Sequence, residues 1–164
     1  MKKRINFSVV QPGAYTAMDA LDKFVEASTV NKHSIELIKI RASQINGCAY
    51  CVDMHSHDAL KQGESLQRVL LISAWKEAGN IFSEEERLLF KMTEEITLIH
   101  QHGLSDESYA KSIEVFGEEQ TAQIIMIIIT INAWTRIGVA AEMTPPLRKK
   151  QFMATNFTEQ RIEN

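Results

Sequence analysis

At 164 residues, with 45% hydrophobic and 24% charged residues, the chain has the make-up of one globular domain. Wholesale disorder, collagen-like repeats and low-complexity architecture are excluded. A formal net charge of −3 argues against nucleic-acid binding, and the nearest basic cluster, Arg148-Lys149-Lys150, is too short to change that. Residues 1–12 read as extended or irregular. Residues 14–28 form a first helix with Ala14, Met18, Leu21 and Val25 on one face. Residues 33–46 form a second, with Ile35, Ile38, Ala42 and Ile45 on one face and Leu37 and Ile40 elsewhere on its circumference. A helix apolar on several sides is central or lies at an interface.

Asn46-Gly47 interrupts, and a third helix runs over 48–62 with Gly63 placed to end it as a left-handed cap. A fourth covers 65–78, with Leu66, Val69, Leu70 and Trp75 expected inside. Ser83-Glu84-Glu85-Glu86 has the form of a capping box and opens a fifth helix over 84–101. Ser105 caps a sixth over 106–116, which Gly117 ends. The seventh, 118–142, carries an isoleucine run that marks it as core or oligomer interface, and Pro145-Pro146 blocks its continuation. Residues 147–164 read as a tail or an arm on a partner subunit. No segment alternates as a strand does, so the expected fold is one all-α domain, a bundle of six or seven helices.

Met1-Lys2-Lys3-Arg4 resembles the charged end of a signal peptide, but the following apolar stretch is too short and is broken by Asn6 and Ser8. The longest apolar run, Ile124 to Ile129, falls far short of the roughly 18 residues of a spanning helix. The protein is therefore expected in the cytoplasm, off the membrane. Two cysteines, Cys48 and Cys51, lie too close together to staple a secreted scaffold.

Those cysteines carry the chemical signal. On a helix with Cys48 at zero, Cys51 falls near 300°, His55 near 340° and Asp58 near 280°, at about 100° per residue. The four share one stripe, with His57, Tyr50 and Lys61 opposite. Ala49, Val52, Ser56 and Ala59 form the expected buried side, which puts the stripe at its edge. Helical neighbours at this spacing have Cβ atoms about 5–6 Å apart, whereas a relaxed disulfide wants about 3.5–4.5 Å. A bond between them therefore calls for a tightened first turn. Both thiols lie near a helix N-terminus, whose partial charge favours thiolate. His55 is one turn beyond Cys51, within reach to exchange a proton, and Asp58 or a carboxylate from another helix could orient it. The competing reading is structural zinc on Cys48, Cys51 and His55, for which His57, the fourth candidate, points the wrong way. A thioredoxin-like domain would need strands around its Cys-x-x-Cys.

The segment Ile45-Asn46-Gly47-Cys48-Ala49-Tyr50-Cys51, with His55, Ala59 and the upstream Glu36, resembles the alkylhydroperoxidase D-like proteins of the carboxymuconolactone decarboxylase superfamily. Ile131-Asn132-Ala133-Trp134-Thr135-Arg136 is similar to the terminal helix of the short, single-copy members. The resemblance implies a peroxide-reducing enzyme that needs no cofactor or metal beyond its dithiol. Cys51 is then peroxidatic, Cys48 resolving, and Glu36 and His55 relay protons. It implies a hydroperoxide substrate, an external thiol or dithiol reductant and a homo-oligomer, trimer or hexamer. A general dithiol–disulfide oxidoreductase remains the alternative within the same chemistry. Read without the resemblance, Glu36 is an exposed helix glutamate. Where some members carry a further histidine between the cysteines, this chain has Ala49-Tyr50. Phase agrees with the assignment of the cysteines, since His55 is nearer Cys51 and Cys48 is expected to be more open to solvent. The helix dipole favours Cys48 instead. His33, His100 and His102 read as helix-end residues. Asn132 and Arg136, at i,i+4 in an apolar helix, read as an interface or cap contact.

Overall fold

The computed structural model describes residues 4–148. Its centre is the helix whose apolar residues point several ways. This helix, α3 (Lys32–Ile45), starts at Asn31, whose side chain accepts from the His33 N–H at 2.8 Å. Ile35 and Ile38 enter one apolar cluster with Val25, Leu89, Met92, Ile124 and Ile127. Leu37 and Ile40 enter a second, with Ala59, Val69, Ile72, Trp75, Phe82 and Phe90. Two cores thus share one helix. The helices α4 (Ala49–Lys61), α6 (Glu84–Thr97) and α7 (Asp106–Ala140) all pack against α3. No strand occurs among the described residues.

The amino-terminal segment differs from the irregular stretch expected. Asn6 caps a short helix, α1 (Phe7–Val10), and α2 (Pro12–Glu26) begins at Pro12, whose ring suits the first helical turn. Of the α2 face Ala14, Met18, Leu21 and Val25, only Val25 is buried and Ala14 is exposed, because α2 lies at the edge of the bundle along α7.

The expected helix over 65–78 is divided. α5 (Leu66–Leu71) gives way to 3-10 turns at Ile72–Glu77 and Gly79–Ile81. Val69 and Trp75 are buried as expected, but Leu66 and Leu70 are 59% and 65% exposed. The change from 3.6 to about three residues per turn keeps Val69, Ile72 and Trp75 in line and leaves the two leucines outside. The Ser83–Glu86 capping box forms, with Ser83 N–H donating to Glu86 and Glu86 N–H donating to the Ser83 hydroxyl. α6 ends at Thr97, short of residue 101, because Leu98 leaves the helical region and a 3-10 turn follows at Ile99–Gln101.

Gly117 breaks α7 where the sixth and seventh helices were expected to part, with φ 74° and ψ 172°. By length and composition α7 is long and apolar enough to cross a membrane, although no single run in it reaches that length. Here it packs on α2, α3 and α6 as a core helix. Beyond Ala140 the chain reverses, with Glu142 at φ 54° and Met143 N–H donating to the Gly138 carbonyl at 2.9 Å. Arg148 reaches back to Asp53 at 2.6 Å. The rest of the expected tail, including Lys149 and Lys150, lies outside the described residues.

Candidate active site

The dithiol sits where α3 hands over to α4. Asn46 closes α3, Gly47 takes φ 66°, and Cys48 is extended at φ −86° and ψ 90°. The helix proper therefore starts one residue later than the sequence suggests, and Cys48 is its N-cap. A cap side chain folds back over the third helical residue, which here is Cys51. Cys51 N–H donates to Cys48 Sγ at 3.4 Å, and the two sulfurs are paired as a disulfide with Cα atoms 5.4 Å apart. The tightened turn expected from helix spacing is unnecessary, because Cys48 is not bound to the helical phase.

Burial corrects two further expectations. Cys48 is not the more open thiol: it is 2% exposed and Cys51 4%. The buried line of α4 is Cys51, His55 and Ala59, while Ala49 is exposed and Val52 and Ser56 are half-buried. The thiol stripe is itself the face that α4 lays on α3, so it is enclosed rather than placed at an edge.

That packing brings Glu36 to the imidazole. His55 Nδ1–H donates to Glu36 Oε2 at 2.9 Å, and both residues are buried. Glu36 Oε1 faces Lys39 Nζ at 3.5 Å. Glu36 is thus the carboxylate that orients His55, the role left open between Asp58 and another helix. Asp58 stands nearby, paired with Lys61 at 3.2 Å. Ligand atoms of the trio Glu36, His55 and Asp58 lie within 4.8 Å of one another. Lys39 and Lys61 already neutralise its two carboxylates. His33, His57, His100 and His102 are not among the residues around the thiols.

Cys51 and His55 open onto a cavity of about 380 Å³. Its walls are largely apolar and aromatic, from Tyr15, Met54, Ile131, Trp134 and Met143, with Asp22 and Lys39 adding charge. Tyr15 meets Trp134 edge-on at 5.2 Å, and Trp134 Nε1–H donates to Asp22 at 2.9 Å. Burial pushes the Asp22 carboxyl above its ordinary range, and the Trp134 hydrogen bond only partly opposes this. A second, polar cavity of about 520 Å³ reaches the other side of His55 and Glu36 and is ringed by Lys32, Lys39 and Lys61. His55 therefore stands between an apolar chamber holding Cys51 and a charged one.

The dithiol turn is held by side chains of α7 that lie far from it in sequence. Asn46 Nδ2–H donates to Asn132 Oδ1 at 2.9 Å and to Thr135 Oγ1 at 3.0 Å. Asn132 in turn donates to Thr97 Oγ1 at 2.9 Å, and Arg136 donates to Asn132 Oδ1 at 2.9 Å. The Asn132–Arg136 pair thus serves a contact inside the molecule. The signal was present as a polar residue on the buried side of an isoleucine-rich helix, but its partner was hidden by distance in sequence.

The model of the carboxymuconolactone decarboxylase family matches residues 12–95, and Glu36, Cys48, Cys51 and His55 all fall within the match. The chain belongs to the carboxymuconolactone decarboxylase family. It is 40% identical over 140 residues to the uncharacterised protein YdfG of Bacillus subtilis, covering 85% of this chain and 95% of that one. A solved structure from Agrobacterium tumefaciens, of unknown function and put forward as an antioxidant defence protein AhpD, superposes with a TM-score of 0.86 at 37% identity. That match covers 90% of this chain and all of the other. A peroxidase-related protein from Ralstonia eutropha with an alkylhydroperoxidase AhpD core shares the fold, with a TM-score of 0.73 at 15% identity over 85% of this chain and 74% of that one. The carboxymuconolactone decarboxylase match stops within α6, so α7, which supplies Trp134 to the cavity, lies beyond it.

Proposed function

We propose that the protein is a thiol peroxidase that reduces organic hydroperoxides through Cys51 and Cys48. The observation that carries this reading is the buried Glu36–His55 pair, whose imidazole stands one helical turn from Cys51 and lines the same cavity. In the reduced enzyme the Cys51 thiolate attacks the O–O bond. Its sulfur takes one oxygen as sulfenic acid, and the other leaves as an alcohol after accepting a proton. His55 exchanges that proton and Glu36 holds the ring in place. The Cys48 thiol then attacks the sulfenic sulfur, water departs, and the disulfide forms. Two electrons and two protons from an external thiol reductant restore the dithiol.

Both sulfurs are enclosed and the cavity is small, which favours a peroxide-sized substrate over a folded protein disulfide. The proposed active form is a homo-oligomer, for which the exposed Ile129 and Val139 of α7 supply apolar surface.

Thiol titration with mass spectrometry, before and after limiting cumene hydroperoxide, tests the reading. The wild type should lose two thiols. Cys48→Ser should retain a sulfenic acid on Cys51, and Cys51→Ser should lose rapid peroxide consumption. Peroxide-independent reduction of model disulfides, with no thiol loss to peroxide, would instead make the protein a general dithiol–disulfide oxidoreductase.

A further inference from the structure

Gly138 is buried in the last turn of α7 with ordinary helical backbone. Nothing in its φ calls for glycine, and glycine weakens a helix relative to alanine. What calls for it is the neighbour. A β-carbon at this position would stand 2.9 Å from Cys48 Sγ and 3.6 Å from Cys51 Sγ. The first distance is well inside van der Waals contact, and a bonded sulfur on a short side chain has little room to yield.

The helix cannot readily retreat either. One turn earlier, Thr135 is tied to Asn46 of the dithiol turn. The Gly138 carbonyl accepts from Met143 N–H, and the Ala140 carbonyl accepts from Arg4 at 2.8 Å. α7 is therefore tied to the dithiol turn before the contact and to the amino-terminal segment after it.

We infer that Gly138 is a positioning residue for the disulfide: its missing side chain is the space that Cys48 Sγ occupies when bonded to Cys51. In the dithiol, Cys48 is free to turn about its Cα–Cβ bond and leave that space. A methyl group on α7 therefore burdens the oxidised state more than the reduced one. The inference rests on the reading of the pair as redox-active, and it adds a residue outside the matched family segment to the control of that pair.

The test equilibrates the full chain with mixtures of reduced and oxidised dithiothreitol. The protein disulfide takes two electrons and two protons and becomes two thiols, while dithiothreitol closes to its cyclic disulfide. Alkylation and mass spectrometry then count the oxidised fraction. Gly138→Ala should shift the equilibrium at least tenfold toward the dithiol, which is about 30 mV for a two-electron couple. Gly13→Ala, where the new methyl meets nothing within 4 Å, should leave it unchanged. Reduced Gly138→Ala should melt no lower than the reduced wild type. An unchanged equilibrium, or equal loss of stability in both redox states, overturns the inference. Should Gly138→Ala fail to fold when oxidised, it should still fold when reduced, and failure to fold in the reduced state also overturns the inference. No peroxide is used, so inert thiols toward peroxide would sink the peroxidase reading while leaving this result standing.

Discussion

At the scale of single residues, the site depends on one hydrogen bond between two helices. His55 is held by Glu36, and a glutamine there keeps the shape but removes the charge that steadies the ring. General acid–base catalysis contributes about 10²–10⁴-fold. His55→Ala should therefore lower the peroxide-dependent rate of Cys51 oxidation by about that factor, with circular dichroism unchanged. Glu36→Gln should fall between that variant and the wild type in the same stopped-flow assay. Equal rates for Glu36→Gln and wild type would remove Glu36 from the mechanism. The residue was legible in the sequence only through a resemblance. Its helix position alone read as exposed, because periodicity does not say which helix packs against which face.

At the scale of elements, the handover from α3 to α4 creates the dithiol geometry. Gly47 at φ 66° turns the chain so that Cys48 becomes a cap, and a side chain there should cost about 1–2 kcal/mol in the left-handed region. Gly47→Ala should lower urea stability by that amount and slow disulfide formation, because Cys48 would no longer sit over Cys51. Asn132→Ala should destabilise by about 1–3 kcal/mol, since it removes the acceptor of one Asn46 N–H and the donor to the buried Thr97 hydroxyl. Were Asn132→Ala as stable as the wild type in urea, Asn132 would not be what anchors the turn, which would then rest on the bond from Asn46 to Thr135. The break at Asn46-Gly47 was readable from composition. The shift of Cys48 out of the helix was not, because a cysteine is an uncommon cap and its spacing to Cys51 also suits a helical position.

At the scale of the whole molecule, Glu94 joins α6 to α3 and to the turn that carries Trp75. It accepts from Arg41 at 2.7 Å, Trp75 Nε1–H at 2.7 Å and Lys76 at 2.9 Å. Burial works to raise its carboxyl, but the bonds from Lys76, Trp75 and Arg41 outweigh burial and hold it below the ordinary range. A carboxyl depressed on folding stabilises fully above its unfolded value and loses that contribution as pH falls through its folded one. Urea stability of the wild type should therefore decline below the usual carboxylate range. Glu94→Gln should be less stable near neutral pH by about 1–3 kcal/mol and should show a shallower acid decline. Parallel acid profiles for the two proteins would assign the decline to other groups.

The sequence by itself determined the helical class, the break at Gly117, the capping box at Ser83 and the stripe of Cys51 and His55. These follow from local spacing, since side chains three or four apart on a helix share a face whatever surrounds it. It also marked α3 as central or at an interface, because apolar residues on several sides need more than one covering surface. Tertiary packing alone decided that α3 covers the thiol stripe, that Glu36 rather than Asp58 holds His55, and that Leu66 and Leu70 stay outside. It alone brought Asn132, Trp134 and Gly138 of α7 to a dithiol far away in sequence. Those contacts depend on how whole helices cross, and a helix records in its sequence which face is buried but not what will cover it.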